Sequence, residues 1–138
     1  MIQRQQSLWL LLCAICAFLS FEFPFFSGAQ QIGTTGGKAV FLNAGSSLFL
    51  ILLTGASLLL SLITIFMFKD RKLQMKLCVV GITLSILILV IYFNEMSKLS
   101  GSISLAAIFV FAIPVGYIMA LIRIWKDEKL VKSLDKLR

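Results

Sequence analysis

Residues 46–68 read SSLFLILLTGASLLLSLITIFMF, without a single Asp, Glu, Lys or Arg. A bilayer's hydrocarbon core is roughly 30 Å thick and a helix rises about 1.5 Å per residue, so about 20 apolar residues cross it. This run is long enough to do so. Three more runs resemble it, at residues 7–26, 77–93 and 103–125. A chain of 138 residues, 59% hydrophobic and 14% charged, cannot bury four such runs and still show water a polar surface. Its mean hydropathy is +1.00. The fold class that follows is all-α: a single domain over residues 1–138, built as an integral membrane bundle of four transmembrane helices. A short cytoplasmic helical extension occupies residues 126–138.

The formal net charge is +7 and there is no histidine. The basic residues gather just outside the apolar runs, which is the pattern of membrane-flanking charge and not of a nucleic-acid groove. Of the 13 basic residues, all but Lys38 and Lys98 fall on one side of a four-span chain. Arg4, the turn Lys69-Asp70-Arg71-Lys72 with Lys76, and the tail share that side. Positive segments stay inside, so both termini and the middle turn are expected in the cytoplasm. One rival reading concerns the start. Arg4, the apolar stretch 8–19 and Ser27-Gly28-Ala29-Gln30 resemble a signal peptide with its cleavage site. Against it stand the weakly charged opening and the bulky residues 23–26.

The first outer loop, residues 27–45, carries five glycines and the turn signal Thr34-Thr35-Gly36-Gly37, flanked by short apolar stretches. It reads either as a small hairpin or as a flexible loop. The second, residues 94–102, is short. Neither has room for a folded domain.

Small residues let helix backbones approach inside a membrane. Ala112, Gly116 and Ala120 recur by fours in the fourth span. Thr54, Ser57, Ser61 and Thr64 line one face of the second, and Gly81 and Ser85 mark the third. These stripes read as packing surfaces, since hydroxyls can bond their own helix carbonyls. A polar permeation path is the functional alternative. Pro114 removes a backbone hydrogen bond from the fourth span and predicts a kink. Cys13, Cys16 and Cys78 lie inside or at the edge of apolar runs. They read as small packing residues, because the redox spacing of Cys13 and Cys16 lacks electropositive surroundings.

Glu22 is the one charged residue that the run boundaries place within a hydrocarbon core, since Arg123 falls at the end of its run beside Trp125. An intramembrane acid is a functional candidate because its burial costs a few kcal/mol on insertion scales. The position resembles the first-span glutamate of small four-span multidrug exporters, which is their proton and drug site. Glu22 sits near the outer end of its span, in Phe21-Glu22-Phe23-Pro24, within reach of water.

In the tail, Leu130, Val131, Leu134 and Leu137 recur at helical spacing among charges. Trp125 suits the headgroup level. The fourth helix is therefore expected to continue beyond the membrane. Trp125, Lys126, Lys129, Lys132, Lys136 and Arg138 are the candidate contacts, either for anionic lipid headgroups or for a membrane-protein partner.

The opening, Met1-Ile2-Gln3-Arg4-Gln5-Gln6-Ser7-Leu8-Trp9, resembles that of a Bacteroidota membrane family defined as domain of unknown function 4293. The closing Lys126-Asp127-Glu128-Lys129-Leu130-Val131-Lys132-Ser133-Leu134-Asp135-Lys136-Leu137-Arg138 looks like its charged C-terminal signature. The resemblance covers the whole chain. It implies a bacterial inner-membrane protein that keeps its first span, and it implies no activity.

Three readings of function compete. The first is a non-enzymatic accessory or scaffold component of a membrane complex, because no metal-ligand cluster, phosphate loop or paired carboxylate is written in the sequence. No cofactor is expected. The second is a small oligomeric proton-coupled transporter or channel using Glu22. The third, a quinone-linked thiol oxidase, needs cysteines at the outer surface, and the three here lie elsewhere.

Overall fold

The structure, a computed structural model, describes residues 2–30 and 38–138. Four helices dominate it: α1 (Ile2–Glu22), α2 (Leu48–Phe66), α3 (Arg71–Ser97) and α4 (Ala107–Lys136). All four are long and apolar enough to cross a membrane. A small sheet accompanies them, made of β1 (Phe26–Gln30), β2 (Lys38–Leu42) and β3 (Ser100–Ile103).

Each helix packs on its two chain neighbours, and α1 closes the ring against α4. The bundle therefore has two ends. One holds the start of α1, the α2–α3 turn and the end of α4, with their basic residues. The other holds the sheet, Lys38 and Lys98.

Helix ends differ from the apolar runs for local reasons. The first run extends to residue 26, yet α1 stops at Glu22. Pro24 cannot donate to the helix ladder and disfavours helical geometry in the residue before it. Two carbonyls that the last turn of α1 leaves open are taken up by the chain after β2. Ala44 N–H donates to Ser20 O at 3.0 Å and Asn43 Nδ2 to Phe21 O at 3.2 Å. The third run spans residues 77–93, yet α3 is 27 residues long. Arg71, Lys72 and Lys76 are good helix formers, so charge alone does not end the helix. The fourth run opens at residue 103, yet α4 opens at Ala107, because 100–103 pair as β3. At its far end α4 continues past Trp125 to Lys136, as expected from the tail spacing, and it runs unbroken through Pro114.

The sheet joins the α1–α2 and α3–α4 connections. Strand order is β2-β1-β3, antiparallel throughout, with Phe26 opposite both Leu42 and Ile103. The 27–45 segment thus supplies a strand pair, and the short connection after α3 supplies a third strand that its sequence does not announce. The turn signal at residues 34–37 lies outside the described residues. Phe25 N–H donates to Leu42 O at 2.6 Å, and Ser104 N–H donates to Phe25 O at 3.0 Å. Phe25 in turn stacks on Tyr92 of α3, ring centroids 4.3 Å apart. The sheet is a lid bolted to the bundle.

Two buried clusters fill the interior. Near the sheet, Phe25, Phe26 and Leu42 meet Leu50, Ile88, Tyr92, Ala107 and Val110. Deeper toward the basic end, Leu10, Cys13, Cys16 and Ala17 meet Cys78, Ile113, Tyr117, Ala120 and Ile124. The small residues do the work expected of them. A Cβ on Gly81 would lie 2.5 Å from Tyr117 Cε1, and one on Gly116 would collide with Cys13 Sγ. Gly81 therefore sets the α3–α4 approach and Gly116 the α1–α4 approach.

Candidate functional site

The hydroxyl stripe of α2 faces inward. Thr54, Ser57, Ser61 and Thr64 are all buried. Three of them bond carbonyls of their own helix: Ser57 to Thr54 O, Ser61 to Leu58 O and Thr64 to Leu60 O, at 2.6–2.8 Å. Across the bundle, Tyr117 Oη donates to Ser57 O at 2.8 Å and Gln74 Nε2 donates to Thr64 O at 3.2 Å. The stripe is thus a packing and crosslinking face. Among the described residues, only Thr54 Oγ1 and Tyr92 Oη are buried side-chain atoms without a hydrogen-bond partner.

Glu22 closes α1 at the sheet end, exposed. Among the described residues its carboxylate takes no ion pair.

The acid that is buried is one the sequence reading passed over. Asp127 is 7% exposed, in the charged extension of α4 after Trp125. Gln6 Nε2 donates to its carboxylate, and Arg71 Nη1 reaches its backbone carbonyl at 3.5 Å. Residues of α1, α3 and α4 therefore meet at the basic end. The signal was present in the spacing. The buried stripe of α4 runs Ala107, Val110, Ile113, Gly116, Tyr117, Ala120, Ile124, and its next helical step is Asp127. Gln6 stands one turn before buried Leu10 on α1.

Beyond Asp127 the helix becomes exposed, with Glu128, Val131 and Lys132 still bordering the α2–α3 turn. Leu130, Val131, Leu134 and Leu137 are all exposed, Leu137 at 85%. Trp125 is exposed, with Lys129 Nζ 5.8 Å from its ring centroid. Lys132 pairs with Glu128 at 2.9 Å, one turn apart. An open groove of about 440 Å³ is lined by Trp125, Glu128, Lys129, Lys132, Ser133 and Lys136. Four of the six tail candidates thus share one groove. Lys126 and Arg138 are exposed outside it.

Cys13, Cys16 and Cys78 are free thiols in the deeper core cluster. Among the described residues no group of three His, Cys, Asp or Glu side chains could hold a metal ion.

Four antiparallel apolar helices, a sheet lid at one end and a charged helical extension at the other define a multi-span helical membrane protein. A family model described as a domain of unknown function (DUF4293) matches residues 2–137, and the chain belongs to that family. No curated protein and no solved structure matches it.

Proposed function

We propose that this protein is a non-enzymatic accessory or scaffold component of a membrane complex in the bacterial inner membrane. Both termini face the cytoplasm, and docking takes place through the last turns of α4. One observation carries this reading. A single helix runs from the bundle core to Lys136, and its apolar residues pass from buried at Ile124 to exposed at Leu130, Leu134 and Leu137. A stripe of leucines held out at helical spacing on a helix anchored at its root fits the groove of a partner protein. The orientation rests on the gathering of basic residues at the end opposite the sheet. Retention of the first span is supported by the place of α1 in both core packing and the Asp127 contact.

Proton-coupled transport through Glu22 is the weaker reading, since that carboxylate is exposed at the sheet end while three of the four hydroxyls of the α2 stripe are taken up by helix carbonyls.

The test is affinity purification from native membranes in mild detergent, comparing wild type with Leu130→Asp/Leu134→Asp. We expect a stoichiometric membrane partner with wild type and its loss from the variant, with the helical content of both unchanged. A partner retained by the variant, or a wild type that elutes alone, would overturn the proposal.

A further inference from the structure

A second groove lies beside the tail, on the flank of the bundle between the start of α3 and α4. It measures about 480 Å³ and is lined by Lys72, Met75, Lys76, Val79, Leu121 and Glu128. The α3 residues follow the spacing i, i+3, i+4, i+7, so they form one stripe along the helix. The stripe has a polarity. Lys72 and Lys76 stand at the basic end, exposed and one turn apart. Met75, Val79 and Leu121 form an apolar floor, and Val79 is about 10 Å farther along the helix than Lys72.

Basic residues outnumber acids around the mouth, Lys69, Arg71, Lys72, Lys76 and Lys132 against Asp70 and Glu128. The first turn of α3 holds no acid, although a helix N-terminus disfavours cations. Glu128, the acid at the rim, is engaged by Lys132 at 2.9 Å. Asp127 is occupied on the other side by Gln6. The adjoining groove of about 350 Å³ adds Lys69, Asp70, Arg71 and Lys132 around the same mouth. A cationic mouth above an apolar floor, on a flank that faces lipid, matches a ligand with an anionic head and a hydrocarbon chain.

We propose that this groove binds one anionic phospholipid, its phosphate between Lys72 and Lys76 and an acyl chain along Met75, Val79 and Leu121. The site is separate from the leucine stripe proposed for partner docking. It lies at the bilayer surface whichever way the protein is oriented.

Native mass spectrometry of the full chain in mild detergent tests it, with phosphatidylglycerol and phosphatidylcholine of identical chains as probes. Two lysines at the strength usual for basic side chains near an anionic membrane surface give wild type about a 30-fold preference for phosphatidylglycerol. Lys72→Gln/Lys76→Gln should erase that preference, and Lys38→Gln/Lys98→Gln, at the sheet end, should keep it. Millimolar inorganic phosphate should not displace the lipid. A preference retained by the Lys72/Lys76 variant, an equal response of wild type to both lipids, or displacement by phosphate alone would overturn the proposal. Should the double variant fail to fold, wild type decides the question through phosphatidylglycerol carrying a photoreactive acyl chain. Crosslinks to the peptides of Met75, Val79 and Leu121 support the site, and crosslinks confined to other helices refute it.

Discussion

Asp127 and Glu22 exchange the roles that hydropathy assigns them. Glu22 sits in an apolar run yet ends exposed, while Asp127 sits in a charged run yet ends buried. Hydropathy averages over a window and is blind to the side of a helix on which a residue falls; periodicity is not. A buried carboxylate that loses its partner, or leaves one unpaired, costs about 1–3 kcal/mol. Asp127→Ala strands Gln6 and should lower thermal stability in detergent by that order, whereas Asp127→Asn retains an acceptor and should lower it less. Equal loss in both variants would show that the Gln6 contact contributes nothing. The glycines divide in the same way. Gly81→Val drives a side chain into Tyr117 and should destabilise by about 1–3 kcal/mol, the range for an overfilled core. A Cβ on Gly55 would meet nothing within 4 Å beyond its own helix turn, and Gly55→Val should leave the melting temperature nearly unchanged. Melting curves of the two variants side by side check this contrast.

The four helices were legible in the sequence because a membrane span is the loudest signal a chain can carry. Their ends were less so. Residues 71–76 look like loop by charge and are helix by propensity, and residues 23–26 look like span by hydropathy and are cut off by Pro24. The sheet was the least legible element. Its central strand, FSGAQ, draws one partner from residues 38–42 and the other from 100–103, far apart in the chain, and small polar residues leave the strands little alternation to read. Pairing of Ser27 with Ser102 gives the sheet a direct test. Opposed antiparallel residues stand about 4.5–5.5 Å apart at Cα, within disulfide reach. Ser27→Cys/Ser102→Cys should crosslink under mild oxidation, as read by peptide mass mapping, with the three native thiols protected by burial. Ser27→Cys paired with Ser97→Cys, at the end of α3 and outside the sheet, should not. Crosslinking of the second pair alone would mean that the sheet is wrongly placed.

At the scale of the molecule, the ring of helices separates a polar, strand-capped end from a basic end with a long helical arm. Among the described residues, the buried interior holds no basic side chain and a single carboxylate, Asp127 at the basic end. The features that reach outward are the leucine stripe of α4 and the lysine-rimmed groove beside it, both at the basic end. The proposed docking requires that end to face the compartment of its partner, and the reading depends on four crossings that leave α1 and the end of α4 on the cytoplasmic side. A dual reporter, active as a phosphatase only outside the membrane and as a galactosidase only inside, decides this when fused after Arg138 and, separately, after Lys98. We expect galactosidase activity alone at Arg138 and phosphatase activity alone at Lys98. Phosphatase activity at Arg138 would contradict the four-span arrangement and place the α4 arm away from any cytoplasmic partner.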